Sequence, residues 1–127
     1  MKLLLRREQR AGGVLGNKMI FVLHVRADVE PKEREAISKY KLGDCLLYER
    51  TPNGLGDESW GAIAKALVRH AMNITVKARD LVEGKTIECK DILEMLAVEE
   101  QLKEAGQAFV MMVRAAMHFG GEEVLEL

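Results

Sequence analysis

The period of apolar and polar positions changes several times along this chain, and each change marks an element. In "KMIFVLHVRADV", residues 18–29, Met19, Phe21, Leu23, Val25 and Ala27 fall on one face while His24, Arg26 and Asp28 fall on the other. That alternation predicts a half-buried strand. "KLLLRREQR" before it reads as a second strand, and the Gly12-Gly13 and Gly16-Asn17 pairs between them predict a hairpin. "DVEPKEREAISKYKLGD" predicts a short surface helix, with Pro31 suited to the first turn and Gly43 as its stop. "DCLLYER" then reads as a third strand, with Cys45 and Leu47 on one face and Leu46 and Tyr48 on the other.

"TPNGLGDES" combines Pro52, Asn53-Gly54 and Gly56 with the helix-capping candidates Asp57 and Ser59, so it predicts a loop leading into a helix. In that helix Trp60, Ile63, Ala64, Leu67, Val68 and Ala71 keep three-and-four spacing. After Asn73 the period returns to two through Ile74, Val76 and Ala78, and Glu83-Gly84 turns the chain into "KTIEC", which predicts a second hairpin. Asp91, followed at the third residue by Glu94, marks the start of a last helix that ends at Gly120-Gly121. Its length is about 40 Å at the usual rise. A seam of Met95, Val98, Leu102, Ala105, Phe109, Met112, Ala116 and Phe119 runs along it. Together these elements predict an α+β fold: a single-domain layer sandwich over residues 1–127. Its mostly antiparallel sheet consists of two hairpins plus one further strand, packed by two main helices including the long C-terminal one.

Composition supports folding and removes several functions. A chain of 127 residues, 48% hydrophobic and 31% charged, buries a core without metal or disulfide staples. The formal net charge of -1 gives no global attraction to nucleic acid or anionic membrane. A local exception is the N-terminal segment, where Arg6, Arg7 and Arg10, with Arg26 from the next strand, are expected along one edge of the first hairpin. Aromatic residues are only 5% and are not interleaved with basic ones, so base-stacking platforms are not expected. Leu3, Leu4 and Leu5 are cut short by Arg6 and Arg7, which excludes a secretory core, and no stretch reaches a membrane span. A cytoplasmic location is expected. Cys45 and Cys89 stand apart from any clustered ligand, and His24, His70 and His118 fall on three different elements, so neither a metal nor a cofactor is expected. The glycines of "NGLG" lack the Lys-Ser/Thr of a phosphate loop.

The last helix carries the one functional hint. Its first half keeps a polar side in Glu99, Glu100, Lys103 and Glu104, whereas its second half keeps only Gln107, Arg114 and His118. An apolar surface that wide predicts a second buried side. The expected function is non-catalytic binding or assembly, with self-association into a dimer through Phe109, Val110, Met111, Val113, Met117 and Phe119. Methionine suits such a surface because it adapts to irregular partners. Asn53, Gly54 and Trp60 form a second candidate, a ligand or partner loop. The alternatives are a small-ligand or nucleic-acid binder and a thiol-dependent enzyme.

Overall fold

A computed structural model describes residues 1–12, 16, 18–49, 73–119 and 124–127 of the chain. The elements in order are β1 (Lys2–Gly12), β2 (Lys18–Asp28), α1 (Pro31–Lys39), a 3-10 turn (Leu42–Asp44), β3 (Leu46–Glu49), β4 (Thr75–Lys77), α2 (Ala78–Glu83), β5 (Lys85–Cys89) and α3 (Ile92–Met117). The candidate loop with Asn53, Gly54 and Trp60, and the helix expected after it, lie outside the described residues.

The fold is α+β. One antiparallel sheet has the order β1-β2-β5, and β3 pairs with β4 in a second, smaller sheet. The first hairpin forms as the alternation predicts, over eleven paired positions from Lys2 opposite Asp28 to Gly12 opposite Lys18. Its inner face carries Leu3, Leu5, Leu23, Val25 and Ala27 against α3, and its outer face carries Leu4, Arg6, Glu8, His24 and Arg26. Val22 is also on the outer face and fully buried, in a cross-strand row between Glu8 and Glu88.

The expected second hairpin does not form. β4 ends at Lys77 and the next six residues are helical, because the Asp80 carboxylate accepts from the Lys77 backbone N–H at 2.8 Å while Leu81 turns into the core. Ala78 therefore belongs to a helix, whose N–H reaches back to the Cys45 carbonyl at 3.0 Å. Gly84, at φ 97, then redirects the chain, and β5 pairs with β2 instead. The stop of α1 also differs from expectation. Lys41, at φ 53, takes the left-handed position, and Gly43 lies within the 3-10 turn.

α3 is the long helix the spacing predicts. Asp91 caps it by accepting from the Glu94 N–H at 2.8 Å, and the Glu94 side chain accepts from Lys90 N–H at 3.1 Å. Met95, Val98, Leu102, Ala105 and Phe109 of the seam are buried and join Leu23, Val25, Tyr48, Val76, Leu81 and Ile87 in one core. Each fully buried large apolar side chain contributes about 1.5–3 kcal/mol. The seam loses cover towards its end, where Met112 is half-buried and Phe119 is exposed. Two polar residues, Glu99 and Gln101, are buried on α3, although Glu99 was expected on its polar side. No helix among the described residues is long and apolar enough to cross a membrane.

Candidate functional site

The six residues expected at an interface separate into three places. Phe109 and Val113 are core residues, 0% and 1% exposed, and this corrects their assignment to a partner surface. Their i, i+4 spacing continues the buried row from Leu102 and Ala105, so the helix turns both of them to the sheet. Val110 is half-buried and Met111 is 71% exposed, and both line a groove with Leu3, Lys103, Gly106 and Gln107. Met117 and Phe119 lie elsewhere, along the cleft between α1 and the end of α3. There the Phe119 ring meets Tyr40 edge-on, with centroids 5.3 Å apart and planes at 77°.

The groove adjoins the edge of the main sheet. Among the described residues β1 pairs only with β2, so its other side presents backbone donors and acceptors along an eleven-residue strand. Leu3 forms the floor, and Gly106 lets α3 come close: a Cβ there would stand 3.1 Å from the Leu3 Cδ2. Exposed apolar residues also occupy the first turns of α3, at Ile92, Leu93 and Leu96. The wide apolar face is therefore not confined to the second half of the helix, as the sequence suggested.

The outer face of the sheet holds a polar assembly. Glu8 is its centre: Arg10 bonds it with two nitrogens, at 2.7 and 3.1 Å, His24 Nε2 stands 2.8 Å from Oε2, and Arg6 lies at 3.6 Å. The Arg10 and His24 hydrogen bonds hold the Glu8 carboxyl down at about 2 from the usual 4.5. Since the ionised carboxylate only accepts, Nε2 carries the hydrogen. His24 Nδ1 in turn stands within hydrogen-bond distance of the Thr86 hydroxyl, 3.0 Å away. Glu8, His24 and Thr86 thus form a carboxylate, imidazole and hydroxyl relay across three strands.

Next to this relay lies an open cleft of about 460 Å³, lined by Arg6, His24, Arg26, Lys85 and Thr86, the apolar Leu4, Leu5 and Val25, and Glu83 and Gly84 at the turn. The arginine edge expected from the sequence is only partly present. Arg6, Arg10 and Arg26 share the outer face, but Arg7 points to the other side and pairs with Glu99 of α3. Sequence reasoning missed Glu8 and Thr86. The available signal was parity: Glu8 shares the outer face with Arg6 and Arg10, and His24 with Arg26, but only strand pairing reveals that Thr86 joins them.

Among the described residues no group of three or more metal-ligating side chains comes together. Cys45 is half-buried just before β3, and Cys89 is buried in β5, 2% exposed. Burial, followed by the carboxylates of Glu94, Asp91 and Glu99, pushes the Cys89 thiol up to about 11. A thiolate at neutral pH is strongly disfavoured there. No protein-family model matches this chain, and no curated protein or solved structure is significantly similar to it.

Proposed function

We propose that this protein is a non-catalytic assembly module that joins a second copy of itself along the free side of β1 and the adjoining groove on α3. The supporting observation is the combination of an eleven-residue edge strand, unpaired on one side among the described residues, with an apolar groove beside it. Long edges of this kind template strand pairing, and proteins that stay monomeric blunt them. Leu4, on the outer face of this edge, is 42% exposed.

Charge along β1 favours its own copy as the occupant. A two-fold axis normal to the sheet keeps both α3 helices on one side and pairs residues of equal parity. Centred on Leu5, that axis places Lys2 opposite Glu8, Leu3 opposite Arg7 and Leu4 opposite Arg6 of the other copy. No like charges then face each other, and the Lys2 and Glu8 pair occurs twice. A centre at Leu4 sets Lys2 against Arg6, and one at Arg6 sets Arg6 against itself. The Leu5 register also brings the apolar groove at Leu3 beside the aliphatic stem of Arg7 from the second copy.

Light scattering with matched substitutions tests this reading. The wild-type protein is expected at twice the 14.2 kDa mass of one chain. Leu4→Lys sets two like-charge pairs across the axis and splits the dimer, Leu4→Glu sets two opposite-charge pairs and keeps it, and Met111→Lys weakens it from the groove side. A single-chain mass for the wild type over a wide concentration range refutes the assembly. Equal effects of Leu4→Lys and Leu4→Glu refute this register.

A further inference from the structure

We infer, resting on the assembly proposed above, that self-association is regulated by pH through His24, whose protonation on the outer sheet face loosens the contact between the two copies. In the Leu5-centred register Lys2 of one copy stands opposite Glu8 of the other. Within each chain Glu8 already holds His24, with Nε2 2.8 Å from Oε2. Directly opposite residues of an antiparallel pair lie about 5 Å apart. Glu8 therefore meets His24 on its β2 side and Lys2 of the second copy on its free side. Lys2 is exposed and forms no ion pair among the described residues, so it is available for that contact.

Histidine is the side chain whose charge ordinarily changes between about pH 5 and about pH 8, whereas carboxylates and guanidinium groups ordinarily keep theirs. Apart from the Thr86 hydroxyl, the described groups that face His24 are of those constant kinds. They are Arg6, Glu8 and Arg10 on β1, Arg26 on β2, Glu88 on β5 and Glu83 at the turn before it. Lys85, opposite Val25, belongs to the inner face by the same register. The Met1 amino group is held by Glu33 of α1 at 3.3 Å, and Met1 packs against the core. Glu8 itself stays ionised over this range, because its carboxyl is held at about 2.

Protonation adds charge here without moving the ring. Nε2 donates to Glu8 in either state, and the Thr86 hydroxyl, 3.0 Å from Nδ1, can donate to a bare nitrogen or accept from a protonated one. The Glu8 carboxylate is already shared by Arg10, at 2.7 and 3.1 Å, and by Arg6, at 3.6 Å. Lys2 of the second copy is thus a third cation beside it when His24 is neutral and a fourth when His24 is charged. Coupling of this kind is reciprocal: the approach of Lys2 disfavours the proton on His24, and the proton disfavours the approach of Lys2. The two-fold axis repeats the contact, so both copies contribute. Assembly tightens as pH rises through the histidine range and loosens as it falls.

Sedimentation equilibrium of the full chain at about pH 8 and about pH 5.5 tests this, on either side of the ordinary histidine value. In dilute salt the dimer Kd is expected to be about fivefold higher at the lower pH, the effect of two like-charge contacts at an exposed strand pair. At 1 M salt, where charges are screened within about 3 Å, the difference is expected to vanish. His24→Gln keeps an N–H for Glu8 and stays neutral, so its Kd matches the wild-type value at pH 8 under both conditions. His24→Arg carries a permanent charge and is weak under both. Lys2→Gln removes the cation that senses the proton and also abolishes the dependence, whereas His118→Gln, at the end of α3, preserves it. The circular-dichroism spectrum is expected to be the same at both pH values. A dimer equally tight at both, or tighter at the lower one, overturns the regulation and leaves the assembly standing. A dependence that persists in His24→Gln does the same. A single-chain mass at both pH values overturns the assembly and its regulation together.

Discussion

Arg7 of the edge strand β1 and Glu99 of α3, 92 positions apart in sequence, form a two-bond ion pair in which Arg7 Nη2 donates to Glu99 Oε2 at 3.1 Å and Arg7 Nε donates to Oε1. The two partners sit in different surroundings, since 54% of the Arg7 side chain but only 4% of the Glu99 side chain is exposed. The pair pins the strand to the helix one helical turn before Lys103 of the groove.

That asymmetry gives the first prediction. Arg7→Leu leaves a carboxylate buried without its partner, whereas Glu99→Leu leaves a guanidinium that turns into water. Urea unfolding is therefore expected to show a lower midpoint for Arg7→Leu than for Glu99→Leu, with the wild type above Arg7→Leu. Equal midpoints for the two variants would mean that Glu99 is hydrated in solution.

Glu8 sets an acid limb on stability. Its carboxyl is held at about 2, first by the Arg10 hydrogen bond and then by His24, against 4.5 for the free group. A folded value below the unfolded one means that the stabilisation is complete above about pH 4.5 and is lost as pH falls towards 2. Between about pH 5 and about pH 3 the wild type is expected to lose more stability than Glu8→Gln, and the difference between them reports this one group. Parallel losses would show that other carboxylates carry the acid sensitivity.

Much of this architecture was legible in the sequence where a long periodic run met a cap. The β1–β2 hairpin followed from alternation on both sides of a glycine pair, and α3 followed from its seam and the Asp91 cap. Short runs were not legible. Three residues of β4 alternate as any strand does, and only the Asp80 cap and the burial of Leu81 decide for a helix after Lys77. The candidate surface was legible only in part for a related reason. Helical spacing says which residues share a side but not how far round the core extends, so Phe109 and Val113 were grouped with Met111 although they face inward. The cleft on the outer face was not legible, because β5 pairs with β2 and brings Thr86 to His24 across 62 positions.

The two cysteines are expected to differ in reactivity. Cys89 is buried and its thiol is raised to about 11, so it stays unlabelled by a thiol reagent at neutral pH until the protein unfolds. Cys45, half-buried beside the 3-10 turn, is the one that labels in the folded state. Counting modified thiols by mass before and after denaturant checks both. Two rapid equivalents without denaturant would show that β5 opens readily.

Gly106 links the fold of one chain to its proposed assembly. In the interior of α3 a glycine costs about 1 kcal/mol relative to alanine, so Gly106→Ala gains that amount of helix propensity. The new methyl would meet the Leu3 Cδ2 at 3.1 Å, and Leu3 can yield because this is the free end of a side chain that borders the open groove. The net expectation is a stabilisation of under about 1 kcal/mol in urea unfolding of dilute protein. The displaced Leu3 then intrudes on the space beside it. Self-association is expected to weaken in the same variant, read as a lower mean mass by light scattering at matched concentration. Gly106→Ala thus moves the two measurements in opposite directions, which loss of fold does not. A variant that is less stable and equally dimeric would show that the backbone at Leu3 is fixed and that the groove is not part of the contact.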